Sequence, residues 1–371
     1  MNFSFWEKES WFSNIDYTIV GSGITGLSCA LALKERSPSA RVLVFERGML
    51  PYGASTRNAG FACFGSLSEI LDDLESHSEE EVLRLVEKRV KGLELLRKNI
   101  GDQQLDFQLN GGYELFPSEE NTLFESCVSK MEKVNRLLKP IFKDEVFSLR
   151  KNNFGFQGVQ DQLIYNRYEG QLDTGKMMTA LLQKALEKGV KILNQTTVKR
   201  FSDLGTSVEI ETENISFKSR QLLIATNGFS AELGISEVKP ARAQVLITKP
   251  IPGLPIKGTF HLDKGFYYFR NINDRILLGG GRNLDFSAEE TTEMLVTEKI
   301  QAKLEDLLKN TILPGQNFEI DHRWSGIMGV GDKKEPIVKK ISKNVSCGVR
   351  LGGMGVAIGS LIGRELAALT E

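Results

Sequence analysis

Near its start the chain carries a glycine-rich turn that constrains its fold more than any other feature. The turn spans residues 21–26 and has the sequence GSGITG. It directly follows a short apolar strand pattern over 16–20, opens a helical pattern over 24–35, and precedes a second strand pattern over 41–46. This order predicts a βαβ unit, in which the two strands lie parallel in one sheet.

Each glycine of this turn has a structural role in a dinucleotide-binding site. Gly21 permits the tight turn, Gly23 lets a pyrophosphate approach the backbone, and Gly26 allows the helix to pack closely on the strand. The helix N-terminus attracts phosphate charge. Glu46 ends the second strand, where it can accept hydrogen bonds from ribose hydroxyls. The motif predicts a site for the ADP half of a dinucleotide and leaves NAD and FAD both open.

Patterns farther along the chain alternate between helix and strand. Helical spacing is present over 80–93 and 123–138, and Asp173 or Thr174 can cap a further helix. Strand patterns follow over 208–210, 222–225, 266–269 and 276–278. The last two of these patterns predict a hairpin. The mixture predicts an α/β or α+β fold, and the lack of a long linker favours interleaved domains.

Composition excludes several classes of partner. The 47 basic and 48 acidic side chains give a formal net charge of -1, so no overall field attracts nucleic acid or an anionic membrane. The four cysteines form no CxxC pair, which argues against a zinc site and favours a reducing cytoplasm. Charges interrupt the aromatic leader over 1–14 and every long apolar run, so neither a signal peptide nor a membrane span is expected.

Several short blocks spread over nearly the whole chain form an ordered set. They are residues 4–7 (SFWE), 53–60 (GASTRNAG), 172–173 (LD), 197–198 (TV), 225–228 (ATNG) and 351–357 (LGGMGVA), followed by Gly363. The set resembles the D-amino-acid-oxidase-like superfamily of FAD enzymes, which includes glycine oxidase, sarcosine oxidase and gamma-glutamylputrescine oxidase. The first block is similar to the leader of the gamma-glutamylputrescine oxidase branch. The resemblance implies that the dinucleotide is FAD.

The resemblance also implies an architecture. A Rossmann-like FAD-binding domain is expected over 1–75, 166–235 and 338–371. An interleaved substrate-binding domain, built on a mixed or antiparallel sheet with helices, is expected over 76–165 and 236–337.

The glycine motif and the resemblance together predict the residues that hold FAD. In the C-terminal block, glycines would offer backbone N–H groups at the positive end of a helix, which would stabilise reduced flavin. Residues 324–328 lack the cysteine that sarcosine oxidases link to flavin, so noncovalent FAD is expected. Cys347 lies near the last block, but a buried structural role is favoured for it. The predicted cofactor residues are Gly21, Gly23, Ile24, Thr25, Gly26, Glu46, Arg47, Ser55, Thr56, Arg57, Asn58, Ala59, Gly60, Val198, Ala225, Thr226, Asn227, Gly228, Gly352, Gly353, Met354, Gly355 and Val356.

The aromatic hairpin over 266–270 offers candidates for substrate binding. The hydroxyl of Tyr267 and the guanidinium of Arg270 can hold a carboxylate, and Arg350 is an alternative cation. Aromatic residues that alternate along a strand also pack into cores, and arginines also form surface ion pairs. His261 and His322 belong to no cluster with metal-ligand spacing, so packed or solvated roles are expected for both, and no metal site is predicted.

Two departures from the superfamily bear on the substrate. Amino-acid oxidases place a carboxylate-binding arginine just beyond the W-x-G block, where Ile327 and Met328 stand here. Sarcosine-oxidase-like relatives carry a lysine that supports oxygen chemistry, and the counterpart here is the apolar stretch 276–278. These departures move the expectation from an amino-acid oxidase towards an amine-type flavoenzyme, with oxidase and dehydrogenase activity both open.

The expected reaction is oxidation of a C–N bond in an amine, an N-alkylated amino acid or an amino acid. The substrate would deliver a hydride to flavin N5, water would hydrolyse the imine, and oxygen or another acceptor would reoxidise the flavin. Two alternatives stand beside this reaction: a regulatory flavin-binding protein of the same fold, and a nicotinamide-dependent dehydrogenase.

Overall fold

Two eight-stranded sheets flanked by helices form the structure, a computed structural model that describes residues 3–119 and 121–371. The first two residues of the predicted leader and FAD-binding domain, and residue 120 of the predicted substrate domain, lie outside the described residues. The strands are β1 (Ile15–Val20), β2 (Val42–Phe45), β3 (Phe61–Ala62), β4 (Gly112–Leu115), β5 (Phe147–Lys151), β6 (Gln162–Asn166), β7 (Gly170–Gln171), β8 (Lys191–Leu193), β9 (Val198–Asp203), β10 (Val208–Thr212), β11 (Ser216–Ile224), β12 (Lys239–Thr248), β13 (Thr259–Leu262), β14 (Tyr267–Ile272), β15 (Arg275–Gly280), β16 (Ile320–Val330), β17 (Ile337–Lys340) and β18 (Val345–Val349).

The helices pack on the faces and edges of these sheets. They are α1 (Phe5–Glu7), α2 (Ile24–Arg36), α3 (Leu67–Ser76), α4 (Glu79–Ile100), α5 (Asp102–Leu105), α6 (Asn121–Phe142), α7 (Thr174–Glu187), α8 (Glu298–Leu307) and α9 (Gly355–Ala368). In the part of the chain that the structure describes, no helix combines the length and the apolar character that crossing a membrane requires.

The first sheet is built around the βαβ unit predicted from the glycine turn. Its core order is β18-β11-β1-β2-β8, all parallel, and β17, β10 and β9 extend it by antiparallel pairing. All four residues of β2 are buried, as expected for a strand covered on both faces. The predicted parallel pairing of β1 with β2 is confirmed.

The second sheet is almost entirely antiparallel. Its order is β16-β12-β15-β14-β13-β4-β6-β5, and β13 with β4 is its parallel pair. The predicted hairpin is β14 with β15. Its strands come from residues 112–166 and 239–330, between the segments that form the first sheet. The predicted fold class, with both sheet types interleaved along the chain, is confirmed, whereas the domain boundaries remain predictions.

Helices α2 and α9 lie side by side and run in the same direction. Glycines make this contact possible: a Cβ at Gly363 would lie 2.5 Å from the Thr25 carbonyl oxygen, and one at Gly359 would lie 2.9 Å from the Ile24 side chain. The hydroxyls of Ser28 and Ser360 add a hydrogen bond of 3.2 Å between the helices. The parallel packing therefore points both N-termini to the same side of the first sheet.

The pattern over 80–93 predicts a substrate-domain or cover helix, and the structure has the helix α4 over this segment. It packs on α9, where a Cβ at Gly92 would overlap with the carbonyl oxygen of Ala357. The cap predicted for α7 is Asp173, whose carboxylate accepts a hydrogen bond of 2.9 Å from the Lys176 backbone.

We expect the substitution Gly26→Ala to lower the free energy of unfolding of the apoprotein by roughly 3 kcal/mol, because backbone atoms cannot move aside for the new Cβ as a flexible side chain can. The new Cβ would overlap with the carbonyl oxygen of Gly21. Urea denaturation of the apoprotein measures the change. Gly53→Ala is the control, since its Cβ meets no atom within 4 Å. Equal stability losses in the two variants would contradict the role of Gly26.

Candidate active site

A cavity of about 530 Å³ lies between the two sheets. One wall is the carboxyl edge of the first sheet, where Gly21, Glu46 and Ala225 directly follow β1, β2 and β11. Ligands of parallel α/β sheets bind at this edge. The other wall comes from the second sheet, through residues of β12 to β16.

Most of the residues predicted to bind the cofactor line this one cavity. They are Gly21, Gly23, Ile24, Thr25, Glu46, Arg47, Ser55, Arg57, Asn58, Ala59, Gly60, Val198, Ala225, Thr226, Asn227, Gly352, Gly353, Met354, Gly355 and Val356. Three others stand behind its wall: Gly26 packs against the glycine turn, the Thr56 hydroxyl donates to the Pro51 carbonyl (2.7 Å), and Gly228 allows close approach of the Met328 carbonyl.

The glycine turn and Glu46 form the end of the cavity beside β1 and β2. Gly21 has φ +103°, a conformation that favours glycine. The Glu46 carboxylate accepts hydrogen bonds from the Ser22 hydroxyl (2.8 Å) and from the backbone N–H of Gly48 (2.9 Å). These bonds fix the carboxylate at the cavity edge, where it is placed to accept from ribose hydroxyls.

The N-terminus of α2 lies at the cavity wall. The backbone N–H of Ile24 donates to the Ser55 hydroxyl (3.0 Å). The hydroxyl of Thr25 is buried and has no hydrogen-bond partner among the described residues, although Thr25 lines the cavity. A buried hydroxyl without a partner is unfavourable unless a ligand satisfies it. This end of the cavity therefore fits the phosphates of a dinucleotide.

The loop over 53–60 is shaped by its own side chains. The Asn58 amide donates to the Ser55 carbonyl (2.8 Å), and its oxygen accepts from Gly60 (2.9 Å) and from the Thr174 hydroxyl (2.9 Å). Arg57 donates to the Ser325 carbonyl of β16 (2.9 Å). Asn58 and Arg57 thus hold the loop between α7 and the second sheet.

The C-terminal loop brings the N-terminus of α9 to the cavity. The backbone N–H of Leu351 donates to the Asn227 side chain (3.1 Å), and that of Gly352 donates to the Gly329 carbonyl (2.9 Å). Gly352 has φ +58°. The partial positive charge of the α9 N-terminus therefore lies at the cavity wall.

The structure places Tyr268, rather than Tyr267, at the cavity. Side chains on a strand alternate between faces, and Tyr267 lies on the face that packs into the core of the second sheet. Arg270 does not line the cavity either. Its buried guanidinium donates to the carbonyls of Ala59 and Leu172 behind the loop, and burial lowers its pKa to about 10. Arg270 is thus placed to position the loop from behind.

The third predicted substrate residue, Arg350, does line the cavity. Its Nε donates to the carbonyl of Glu335 (2.9 Å), which ties β18 to the loop before β17. Ile327 and Met328 also line the cavity and make this part of its wall apolar. The apolar stretch 276–278 is buried in the second sheet away from it.

Sequence reasoning missed the charge of His261, which lines the cavity from β13. Its Nε2 lies 2.6 Å from the Glu169 carboxylate, which also accepts from the Thr259 hydroxyl (2.8 Å). Burial by itself lowers the pKa of His261, but Glu169, with Glu69 and Glu114 nearby, raises it to about 9. The partner lies 92 positions away in sequence, so no local pattern reveals the pair. At neutral pH the cavity wall therefore carries an imidazolium.

A second cavity residue that the sequence did not single out is Cys63. Its sulfur lies 3.7 Å from the sulfur of Met354, at the residue that caps α9. Burial, together with Glu169 and Glu69, raises the pKa of Cys63 well above its ordinary value, so the group is a thiol. Cys347, by contrast, is buried within β18 and does not line the cavity.

The raised pKa of His261 makes stability depend on pH. Its contribution is complete below the ordinary pKa of 6.5 and is lost as the pH rises through about 9. We expect the free energy of unfolding, measured by urea denaturation, to fall over this window and to fall less in His261→Gln. Exposed His322 supplies the control His322→Gln, which should keep the wild-type slope. A wild-type slope in His261→Gln would contradict the assignment.

Comparison with known proteins gives a family match and relatives that share most of their length with this chain. The family described as FAD dependent oxidoreductase matches residues 16–369. The chain is 24% identical over 374 residues to the gamma-glutamylputrescine oxidoreductase of Escherichia coli, covering 95% of this chain and 83% of that protein. It is 22% identical over 383 residues to the probable oxidoreductase OrdL of Haemophilus influenzae, covering 95% and 82%.

Solved structures share the fold. Glycine oxidase from Geobacillus kaustophilus superposes with a TM-score of 0.77 at 19% identity, covering 96% of this chain and 94% of that one. L-proline dehydrogenase from P. horikoshii gives 0.75 at 20% identity, covering 96% and 93%. The superfamily resemblance drawn from the sequence is confirmed. With a family match that spans nearly its whole length, the chain belongs to the FAD-dependent oxidoreductases.

Proposed function

We propose that the chain oxidises a C–N bond of an amine, an N-alkylated amino acid or an amino acid with noncovalent FAD held in the cavity between the sheets. The observation that carries this proposal is the continuity of the cavity, which joins the glycine turn to the second-sheet wall with His261 and Tyr268. Bound FAD supplies the hydride acceptor, N5, for the α-carbon of the amine. Relatives named for gamma-glutamylputrescine, glycine and proline support this substrate range.

The residues proposed to hold FAD follow the order of the cavity. Glu46 would accept from the ribose, the N-terminus of α2 with Thr25 would bind the pyrophosphate, and the loop over 53–60 would support the chain between phosphate and ring. The α9 N-terminus with residues 352–356 would face the ring and favour negative charge there. Glu46, Thr25 and residues 352–356 all line the cavity.

The substrate side of the site is proposed to combine charged side chains with apolar walls. His261 presents its positive charge to the cavity, and the pair with Glu169 orients its ring. Tyr268 lies opposite it in the strand register, and Phe61 contacts both rings at 5.3 and 5.5 Å between centroids. Ile327 and Met328 exclude water on the remaining side. Exclusion of water strengthens every electrostatic interaction in such a site.

We also propose a reducing compartment, such as the cytoplasm, as the site of action. The four cysteines are free thiols, and each is buried. Buried thiols stay reduced in that environment without a disulfide framework.

An anaerobic reduction assay tests the proposed function. The yellow holoprotein is mixed with amines, N-methylated amino acids and amino acids, and bleaching of the visible flavin absorption is followed. We expect reduction by at least one of these compounds. Peroxide release in air then distinguishes an oxidase from a dehydrogenase, and acid precipitation that leaves flavin in solution verifies noncovalent binding. Absence of bleaching with every compound would contradict the proposal.

A pair of threonines tests the cofactor site separately. Thr25→Val should weaken FAD binding about 10-fold, because one hydrogen bond to phosphate is worth roughly 1.4 kcal/mol. The stability of the apoprotein should not fall, since the Thr25 hydroxyl has no partner among the described residues. Thr18→Val is the matched control: its hydroxyl is equally buried and unpartnered in that part of the chain, but Thr18 does not line the cavity. Fluorescence titration of the apoproteins with FAD measures both, and equal affinities of the two variants would contradict the assignment.

A further inference from the structure

Arg89, in the middle of α4, is a buried cation that the proposed reaction does not use. It lines the cavity and is 7% exposed. Its Nη1 donates to the carbonyl of Phe64 (2.8 Å), and its Nε has no hydrogen-bond partner among the described residues. Nor does the structure, over residues 3–119 and 121–371, pair this guanidinium with a carboxylate. A buried cation in this state is costly unless an anion reaches it.

The nearest acidic groups are already engaged elsewhere. Asp73 forms an ion pair with Lys334, and the carboxylate of Glu69 accepts from the Ser66 backbone (2.9 Å) as part of a helix cap. Burial lowers the pKa of Arg89, and the charges of Glu69 and Asp73 partly offset this effect. The two carboxylates therefore keep Arg89 charged without occupying its hydrogen-bonding edge.

Other arginines of this chain show that the guanidinium edge formed by Nε and Nη2 binds carboxylates. Arg97 uses Nε and Nη2 to hold both oxygens of Asp102, each at 2.7 Å. Arg242 uses the same atoms on buried Glu289, at 2.9 and 2.7 Å. Among the described residues, only Nη1 of Arg89 donates to a protein group. The guanidinium geometry thus matches a planar carboxylate supplied by a ligand.

The place of Arg89 in the cavity suits a substrate group. Phe64, which anchors it, follows Cys63, and the Cys63 sulfur contacts Met354 at the N-terminus of α9. The cavity wall also includes Lys264, Lys333 and Lys334. Lys264 and Lys334 form ion pairs with Asp72 and Asp73. Among the described residues this leaves Arg89 and Lys333 as the cations of this wall without an ion-pair partner, and an anion can approach them.

We propose that Arg89 binds a carboxylate of the substrate, so that the chain selects amines that carry an acid group. This inference rests on the proposed function and names the substrate class within it. It also accounts for the apolar Ile327 and Met328, because a carboxylate held from α4 needs no cation on β16.

Matched acids and amides test the inference. Proline, sarcosine and glycine are compared with prolinamide, sarcosinamide and glycinamide in anaerobic flavin reduction. In Arg89→Gln, kcat/KM for the acids should fall about 100-fold, whereas that for the amides should stay within about threefold, because only the charge-assisted bond is lost. Arg89→Lys should recover part of the loss. Arg97→Gln, in the same helix but off the cavity, is the control and should change neither series.

Ligand binding to the wild-type holoprotein covers the case in which Arg89→Gln does not fold. Acetate and acetamide are titrated while the visible flavin spectrum is followed, and acetate should bind at least about 10-fold more tightly. Equal affinity for acetate and acetamide would overturn the role of Arg89. So would an equal fall of kcat/KM for acids and amides in Arg89→Gln. If no amine reduces the flavin, the proposed function fails, yet a preference for acetate that Arg89→Gln or Arg89→Lys weakens still supports the anion site.

Discussion

The parallel packing of α2 on α9 is the contact on which the rest of the site depends. Two helices can approach this closely only where side chains are absent, and Gly359 and Gly363 of α9 provide that surface. The contact aligns two helix dipoles, so that two positive ends face one cavity rather than two separate ones. A single dinucleotide with charge at both the phosphates and the ring would match such an arrangement, and Ser28 and Ser360, which join the two helices, lie 332 positions apart.

The second sheet adds what the first cannot supply. Parallel strands end in loops rich in backbone donors, which suit phosphates and ribose. The antiparallel strands instead present alternate side chains, and the cavity receives His261 and Tyr268 from neighbouring strands in register. Because the hydrogen bonds of the sheet fix this register, the imidazole of His261 keeps its position beside Glu169. The proposed cofactor site lies on the backbone-rich wall, and the proposed substrate site lies on the side-chain-rich wall.

The sequence predicted the features whose causes are local. The glycine turn, the strand of Glu46 and the cap of α7 depend on neighbours within a few residues, and the structure has all three. Features that depend on distant partners were missed. Whether Tyr267 or Tyr268 faces the cavity depends on which face of β14 packs into the core, and the charge of His261 depends on Glu169. Arg270 was predicted to bind substrate, yet its guanidinium is held by the carbonyls of Ala59 and Leu172. The sequence shows that a cation is present, but only the structure shows which groups that cation contacts.

The order of strands in the first sheet has a consequence for how the protein is made. The central strand β1 pairs with β11, and Ile15 lies opposite Ser219, 204 positions later in the chain. During synthesis one edge of β1 therefore stays unpaired while the intervening residues, which include β4, β5 and β6 of the second sheet, are translated. Sheets with such long-range pairing fold slowly, and their unpaired strand edges are prone to aggregation while folding is incomplete. The first sheet therefore stays incomplete until β11 has been made, and the open edge of β1 can meanwhile pair with other chains.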